Sequence, residues 1–223
     1  MTTARMTKAA LAAALIAGLA ACGNDDSGNQ TNPVLIAAKS IGATAARVRG
    51  GKADAAPAEA PRTPEQMAAE ALRVNPAPLV MVGFESLGRT QVMAMTGQNG
   101  GLRTYMAPSK EALVLRDGMV VGTRGFGHDL SVAEPKTEAL IRAGRSGNAP
   151  RVMRYFSGDG LERPLNFTCS VGPGPNPGVV VESCEGHGAR FQNNYAPQGG
   201  HLPVSRQWLG PQLGYVTIQT LRP

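Results

Sequence analysis

The chain is poor in the residues on which several functional classes depend. Aromatic residues make up 4% of its 223 residues, with a single tryptophan, and it contains three histidines and three cysteines. So few aromatic rings do not favour a large carbohydrate-binding platform, because sugar rings stack on Trp and Tyr faces. The sequence also contains no G-x-S-x-G segment and therefore offers no nucleophile elbow of a serine hydrolase.

Positive charge is in excess, but it is not concentrated anywhere. There are 22 Lys and Arg residues against 16 Asp and Glu residues, which gives a formal net charge of +6. The basic residues are scattered and form no run of five or more. Nucleic-acid binding needs a clustered basic footprint, so we expect no nucleic-acid partner.

The N-terminus has the layout of a secretory signal peptide. Arg5 and Lys8 precede an apolar run from Ala9 to Ala21 that is too short to span a bilayer comfortably. Neither acidic residues nor further basic residues lie in this leader, so its removal leaves a smaller positive excess. Cleavage by the ordinary signal peptidase at an Ala-x-Ala site is one of two alternatives for its processing.

The other alternative is lipidation, which the residues at the end of the leader favour. Leu19-Ala20-Ala21 comes directly before Cys22, as in the lipobox of bacterial lipoproteins. We expect residues 1–21 to be removed and Cys22 to carry the diacylglyceryl and palmitate-type chains of a lipid anchor. The residue after the cysteine is Gly23 and not aspartate, and the resemblance to bacterial lipoproteins, through their sorting rule, then implies the outer membrane over the inner membrane.

Two cysteines remain for the folded part, Cys169 and Cys184. An even pair in an exported chain predicts a disulfide, which here would close a loop of about 15 residues and join two neighbouring strands. A metal site with His187 as a third ligand is the alternative, but the three residues lack C-x-x-C spacing and an oxidising compartment would bridge the thiols. We expect no metal, no cofactor and no thiol nucleophile.

Composition divides the chain into three segments: a signal peptide over residues 1–21, a lipidated flexible tether over residues 22–62 and a single β domain over residues 63–223. The tether is polar and turn-rich, then rich in Ala, Pro and Gly, with a short amphipathic helix predicted over residues 34–49. The last segment is long enough for one domain with its own core.

Most of the last segment has a β pattern. Thr63-Pro64-Glu65-Gln66 predicts a helix that begins with a capping box and ends before Pro76, and a second helix is predicted over residues 135–143 with Pro135 at its start. Asn99-Gly100 and Asp117-Gly118 predict hairpin turns. Short apolar runs predict strands over residues 79–84, 90–96, 102–106, 112–116, 119–123, 151–156, 161–171, 179–184, 189–195, 204–209 and 213–221. We expect a mainly β fold, an antiparallel β-barrel-like or sandwich domain with one or two short helices.

Paired carboxylates are the remaining source of hydrolytic chemistry, because a glycosidase needs two of them across one cleft. Asp117 and Asp159 lie in Asp-Gly turns, where the carboxylate serves the turn itself. The candidates are Glu85, Glu111, Asp117, Asp129, Asp159, Glu162, Glu182 and Glu185. No two of them form a recognisable motif, so we expect no catalytic residues.

Several segments of the β region resemble those of one known family. The most specific are residues 113–130 (LVLRDGMVVGTRGFGHDL) and Arg206-Gln207-Trp208. The others are residues 99–101, 104–105, 167–169, 182–184, 191–195 and 214–215. Together with the lipobox, they resemble the YjbF family, also called the group 4 capsule polysaccharide lipoprotein family. One departure follows Tyr195, where residues 196–201 replace an expected aromatic residue and acidic turn, so we expect this hairpin to differ.

The resemblance implies an all-β barrel-like domain on an outer-membrane lipid anchor. It also implies a part in capsule or exopolysaccharide production alongside polysaccharide export proteins. We expect a non-enzymatic lipoprotein on the periplasmic face whose partners are the membrane, through its anchor, and the export proteins or the polysaccharide itself. A periplasmic enzyme that acts on polysaccharide and a structural envelope protein without a glycan role are the alternatives.

The resemblance also directs attention to a candidate ligand or partner surface. Its members lie in or beside the two most specific segments and are Arg124, His128, Asp129, Arg206 and Trp208. Each has a structural alternative. The 125–129 loop could be a backbone device in which glycines allow positive φ and the aspartate caps. Trp208 could anchor the core, which we favour for a lone tryptophan on a late strand.

Overall fold

The part of the chain that the structure describes forms a single twelve-stranded antiparallel sheet with two short helices. This computed structural model describes residues 62–156 and 161–223. The predicted signal peptide, Cys22, residues 22–61 of the tether, the helix over residues 34–49 and the turn at Gly158-Asp159-Gly160 lie outside the described residues. The prediction of a mainly β fold is confirmed.

The elements follow one another along the chain with short connections. The strands are β1 (Leu79–Phe84), β2 (Arg89–Asn99), β3 (Leu102–Met106), β4 (Ala112–Arg116), β5 (Met119–Arg124), β6 (Leu130–Pro135), β7 (Gly147–Phe156), β8 (Glu162–Pro173), β9 (Val180–Gly186), β10 (Ala189–Gln198), β11 (His201–Trp208) and β12 (Tyr215–Arg222). The helices are α1 (Pro64–Val74), before β1, and α2 (Glu138–Arg142), between β6 and β7.

The sheet curls until its two edge strands meet. The strand order is β5-β4-β3-β2-β1-β12-β11-β10-β9-β8-β7-β6, so β5 and β6 are the edges. The hydroxyl of Thr123 on β5 accepts a hydrogen bond from the Leu130 N–H on β6 (2.8 Å) and donates one to Asp129 (2.8 Å). The result is a nearly closed barrel, which decides between the two arrangements that the sequence left open.

Alternation of apolar and polar residues sets the two faces of the sheet. Along β8, Phe167, Cys169 and Val171 are buried, while Thr168 and Ser170 between them are exposed. Successive strand side chains point to opposite faces, so the apolar set fills the barrel interior and the polar set covers the outside. Each large apolar side chain buried in this way contributes about 1.5–3 kcal/mol.

Helix α1 begins as the sequence predicts. The Thr63 hydroxyl accepts from the Gln66 N–H (3.3 Å), and the Gln66 side chain accepts from the Thr63 N–H (2.9 Å), which completes the capping box. At the other end of α1, the guanidinium of Arg222 on β12 donates to the carbonyls of Leu72 (2.7 Å) and Asn75. Neither helix in the described part of the chain has the length and apolar character needed to cross a membrane.

The second helix corrects one sequence prediction. Residues 130–135 form β6, and α2 begins only at Glu138, so placing Pro135 at a helix start was wrong. Pro135 pairs with Arg151 at the last position of β6, an edge strand where the missing N–H of proline is tolerated. Ile141 of α2 is fully buried in a small cluster with Met119 and Leu202, where α2 packs against β9 and β10.

Candidate functional site

A polar groove of about 910 Å³ lies on the outside of the sheet. Its wall carries hydroxyl, amide and phenol groups from Thr168, Ser170, Ser183, Gln192, Asn194 and Tyr215. We call it the outer groove. Its volume is within the range of about 300–1,000 Å³ that is typical of ligand sites.

Strand register brings these side chains together. Ser170 on β8 pairs with Ser183 on β9, which pairs in turn with Gln192 on β10, so the three lie in one row across the sheet. The Nε2 of Gln192 donates to the Oγ of Ser183 (3.1 Å). The neighbouring pair Cys169–Cys184 faces inward, and its disulfide fixes β8 to β9 beneath the groove. The predicted disulfide between adjacent strands is therefore present.

Every charge in the outer groove is already matched. Arg190 pairs with Glu185 (2.7 Å), and both side chains are well exposed, at 80% and 65%. Arg206 gives Nε and one terminal nitrogen to the two carboxylate oxygens of Glu85 (2.6 and 2.7 Å). These hydrogen bonds from Arg206 lower the pKa of the Glu85 carboxyl. The groove is thus electrostatically balanced.

Tyr215 is held in place at the edge of the outer groove. The Arg206 guanidinium lies over its ring, 3.6 Å from the ring centroid, in a cation–π contact. The Tyr215 hydroxyl accepts a hydrogen bond from the backbone N–H of Gln192 (3.1 Å). One face of this ring is therefore covered by protein.

The barrel interior contains a second polar cluster, which we call the buried ion-pair network. Arg151 on β7 and Glu182 on β9 form a salt bridge of 2.8 Å with side chains 2% and 0% exposed. The Asn193 amide donates to Glu182 (2.8 Å), as does the Tyr195 hydroxyl (3.1 Å), and the Thr137 hydroxyl donates to its other oxygen. The two opposite charges, which face inward from two strands, are therefore paired with each other and hydrogen-bonded by protein groups.

The network sets the protonation states of its members. Burial alone would raise the pKa of Glu182, but the charge of Arg151 and the hydrogen bonds from Arg151, Thr137 and Asn193 outweigh it, so the pKa is lowered. Burial raises the pKa of the Tyr195 phenol well above its ordinary value. Glu182 is therefore an ionised carboxylate sealed inside the barrel, with its oxygens committed to protein donors.

Sequence reasoning missed this pair, although one signal was present. Arg151 lies two positions from Met153 on β7, and Glu182 lies between Val180 and Cys184 on β9, so each charge occupies an inward position of an apolar alternation. When one strand has a positive residue at an inward position and another strand has a negative one, the sequence indicates a buried ion pair. Their pairing also requires knowing that β7 and β9 are separated by one strand.

The sequence matches the model of one known protein family. The model of the family described as "Group 4 capsule polysaccharide lipoprotein gfcB, YjbF" matches residues 34–221. The chain belongs to the YjbF family. It is accordingly a capsule polysaccharide-associated lipoprotein of the bacterial envelope.

One solved structure supports the fold of this YjbF family member. It is that of the hypothetical lipoprotein YmcC from Escherichia coli K12, with a TM-score of 0.55 and 16% sequence identity over 66% of this chain and 88% of that chain. At this identity, the likeness shows the fold alone. No curated protein matches the sequence.

The segment that most resembled the YjbF family, residues 113–130, lies where the barrel closes. Asp129 accepts hydrogen bonds from the N–H groups of Gly125 (2.9 Å) and Phe126 (3.2 Å), while Gly125 and Gly127 have φ of 86° and 87°. The 125–129 loop therefore has the structural role that was the alternative in the sequence analysis: its glycines adopt positive φ and its aspartate caps backbone N–H groups. The Arg124 guanidinium donates to the Leu130 carbonyl across the seam (3.3 Å).

The five residues of the predicted surface are not brought together. Arg124, His128 and Asp129 lie where the edge strands β5 and β6 meet, and His128 is exposed there. Arg206 lies in the outer groove. Trp208 stacks its ring on Phe191, with centroids 4.3 Å apart and planes at 17°, and packs against the core. Of the five, only Arg206 lines the groove, and Trp208 occupies the core-anchoring position that we favoured.

The metal alternative meets a chemical obstacle in the residues that are present. Within residues 62–156 and 161–223, Cys169, Glu182 and Cys184 form a group whose ligand atoms lie within 4.8 Å of one another. The two sulfurs are joined in the disulfide and offer no thiolate, which is the form that binds metal. His187 instead accepts the Asn166 N–H on its Nε2 (2.9 Å) and supports the β9–β10 turn.

The β10–β11 hairpin, where the sequence departs from the family pattern, has a glycine turn. β10 continues to Gln198 with a register shift between Ala196 and Gln198, and Gly199 and Gly200 have φ of 57° and 83°. The guanidinium of Arg142 on α2 donates to the Gly200 carbonyl (2.9 Å) and ties this hairpin to the helix.

Proposed function

We propose that the protein is an outer-membrane lipoprotein on the periplasmic face that assists the assembly or export of a capsule or exopolysaccharide without catalysing a reaction. The observation that carries this proposal is the family match over residues 34–221. The lipobox ending at Cys22 supports the anchor, and Gly23 supports the outer membrane. The tether over residues 22–62 would let the β domain work near the membrane surface.

The carboxylate geometry supports an accessory role over the enzyme alternative. Glu85, Glu111, Glu182 and Glu185 are each paired with an arginine, and the lining of the outer groove contains one carboxylate, that of Glu185. A glycosidase uses two carboxyl groups across one cleft, one as acid and one as base or nucleophile. The groove suits binding better than bond cleavage.

Replacing Cys22 by alanine is expected to release the protein from the membrane. Each buried methylene contributes about 0.8 kcal/mol to membrane binding, so loss of all acyl chains removes the anchor. The measurement is fractionation of cells into outer-membrane, inner-membrane and soluble periplasmic material, followed by detection of the protein. The Ser27→Ala variant in the same segment keeps Cys22 and should stay in the outer membrane. Retention of the Cys22→Ala variant in the outer membrane would rule out the lipid anchor.

The accessory role itself is tested by purifying the lipoprotein from detergent-solubilised membranes of its own host. Co-purifying proteins are identified by mass spectrometry and bound glycan by sugar analysis, with cells that lack the protein as the control. We expect a polysaccharide export protein or the polymer to be recovered. A preparation that contains neither would favour the structural-envelope alternative.

A further inference from the structure

We infer that the outer groove binds an uncharged, hydroxyl-rich stretch of a polysaccharide chain. This inference rests on the proposed function and names the ligand class and the site. Two observations carry it: the kind of side chain in the groove and the balance of its charges.

The groove presents groups that match sugar hydroxyls. Hydroxyls of Thr168, Ser170 and Ser183 both donate and accept hydrogen bonds, and the amides of Gln192 and Asn194 supply both donors and acceptors. Sugar hydroxyls have the same dual character, so each contact can form in either direction. The sheet spaces these groups about 4.8 Å apart across strands and about 6.8 Å apart along a strand. A regular array of this kind can meet successive hydroxyls of an extended chain.

The charges argue against an acidic ligand. Both groove arginines are already paired, Arg190 with Glu185 and Arg206 with Glu85. A uronate or phosphate group would have to displace a carboxylate and would be repelled by the exposed Glu185. An uncharged segment meets neither obstacle.

Binding at one groove should be weak. The ring of Tyr215 is covered on one face by Arg206, and Trp208 packs against Phe191, so the groove relies on hydrogen bonds more than on ring stacking. Hydrogen bonds to solvated groups contribute little net free energy because water competes for them. Repeating units on a polymer and several membrane-anchored copies would compensate through multivalency.

The test measures binding of the full lipoprotein, held in detergent micelles on a biosensor surface, to two polysaccharides. The probes are the capsule polysaccharide extracted from the host and polygalacturonate as an acidic reference. The groove variant is Thr168→Ala with Gln192→Ala. The matched control is Thr217→Ala with Gln219→Ala, which removes the same residue types at exposed positions of β12 outside the groove. All four positions are exposed, so folding should be preserved, which circular dichroism checks.

We expect the host polymer to bind the wild-type protein with little change between low and high salt. The groove variant should bind about tenfold more weakly, from the loss of two hydrogen-bonding groups, and the control variant should match the wild type. Polygalacturonate should bind no more tightly than the host polymer.

Two results would overturn the inference. Binding that depends on the groove but collapses at high salt would identify an acidic ligand in place of an uncharged one. Absence of binding, or equal binding by the groove and control variants, would remove the groove as a glycan site. Neither result touches the proposed function, because a role in capsule export through a protein partner would still be seen in the host.

Discussion

Replacement of Glu182 by glutamine is expected to lower the free energy of unfolding by about 3–5 kcal/mol. The change keeps the size of the side chain but removes its charge, and Arg151 is then left as an unpaired cation inside the barrel with its side chain 2% exposed. Asn193 and Tyr195 also lose the anionic acceptor to which they donate. Urea denaturation followed by circular dichroism measures the difference.

The matched control is Glu185→Gln on the same strand. Glu185 also pairs with an arginine, Arg190, but both side chains are on the surface, so this variant should cost less than about 1 kcal/mol. Equal losses of unfolding free energy in the two variants would contradict the claim that burial makes the Arg151–Glu182 pair contribute more to stability than the surface pair.

The effect of the Glu182→Gln change should also depend on pH in a defined direction. The folded-state pKa of Glu182 is lowered, so its contribution to stability is present above the ordinary carboxyl value of about 4.3 and is lost as the pH falls through the folded value. The gap between wild type and variant should therefore be full near neutral pH and narrow in acid. A gap that is independent of pH would show that the carboxylate charge is not its source.

Replacement of Cys169 and Cys184 together by alanine is expected to lower the free energy of unfolding by about 3 kcal/mol. The disulfide closes a loop with a sequence separation of 15, and opening it enlarges the unfolded ensemble by the corresponding chain entropy. Both cysteines are buried in the core cluster, so the change also removes apolar contacts beneath the outer groove.

Reduction provides the control for the disulfide. Wild-type protein unfolded with a reducing agent should fall towards the stability of the alanine variant, which should itself be insensitive to the agent. Titration of thiols in denatured, unreduced protein made in the periplasm should find none from this pair. Two free thiols in that experiment, or a variant as stable as the wild type, would contradict the structural role of the bridge.

The local signals in the sequence located much of the fold. Thr63 and Gln66 form the predicted capping box, and β1, β3 and β4 begin and end at the predicted residues. These elements are bounded by turns or caps whose residues restrict the backbone within a few positions. The even cysteine pair likewise located a bridge between adjacent strands.

The incorrect secondary-structure predictions arise where one residue is compatible with two different elements. Pro135 is acceptable both at the first turn of a helix and at the end of an edge strand, and only the sheet order shows that β6 is an edge. A strand at residues 130–135 was therefore missed, and α2 was started too early.

The outer groove could not be predicted from the sequence, because its residues come from strands whose pairing register no single segment determines. The outer groove exists because Ser170, Ser183 and Gln192 fall into one row, which requires the register of three strands. Arg206 was singled out from its segment and does lie in the groove, whereas His128 and Asp129 lie in a loop that closes the barrel. Single segments indicated residues of interest, but only the register shows which of them share a surface.

A role in capsule assembly or export is most directly tested by the amount and structure of surface polysaccharide that the host makes without this protein. Deletion of its gene should reduce cell-associated capsule or exopolysaccharide, and the wild-type protein should restore it. Mass spectrometry of the remaining polymer should find an unaltered repeat unit, because an accessory protein changes no bond in it. An unchanged amount of polysaccharide would contradict the role in assembly or export, and an altered repeat unit would show that the protein is an enzyme.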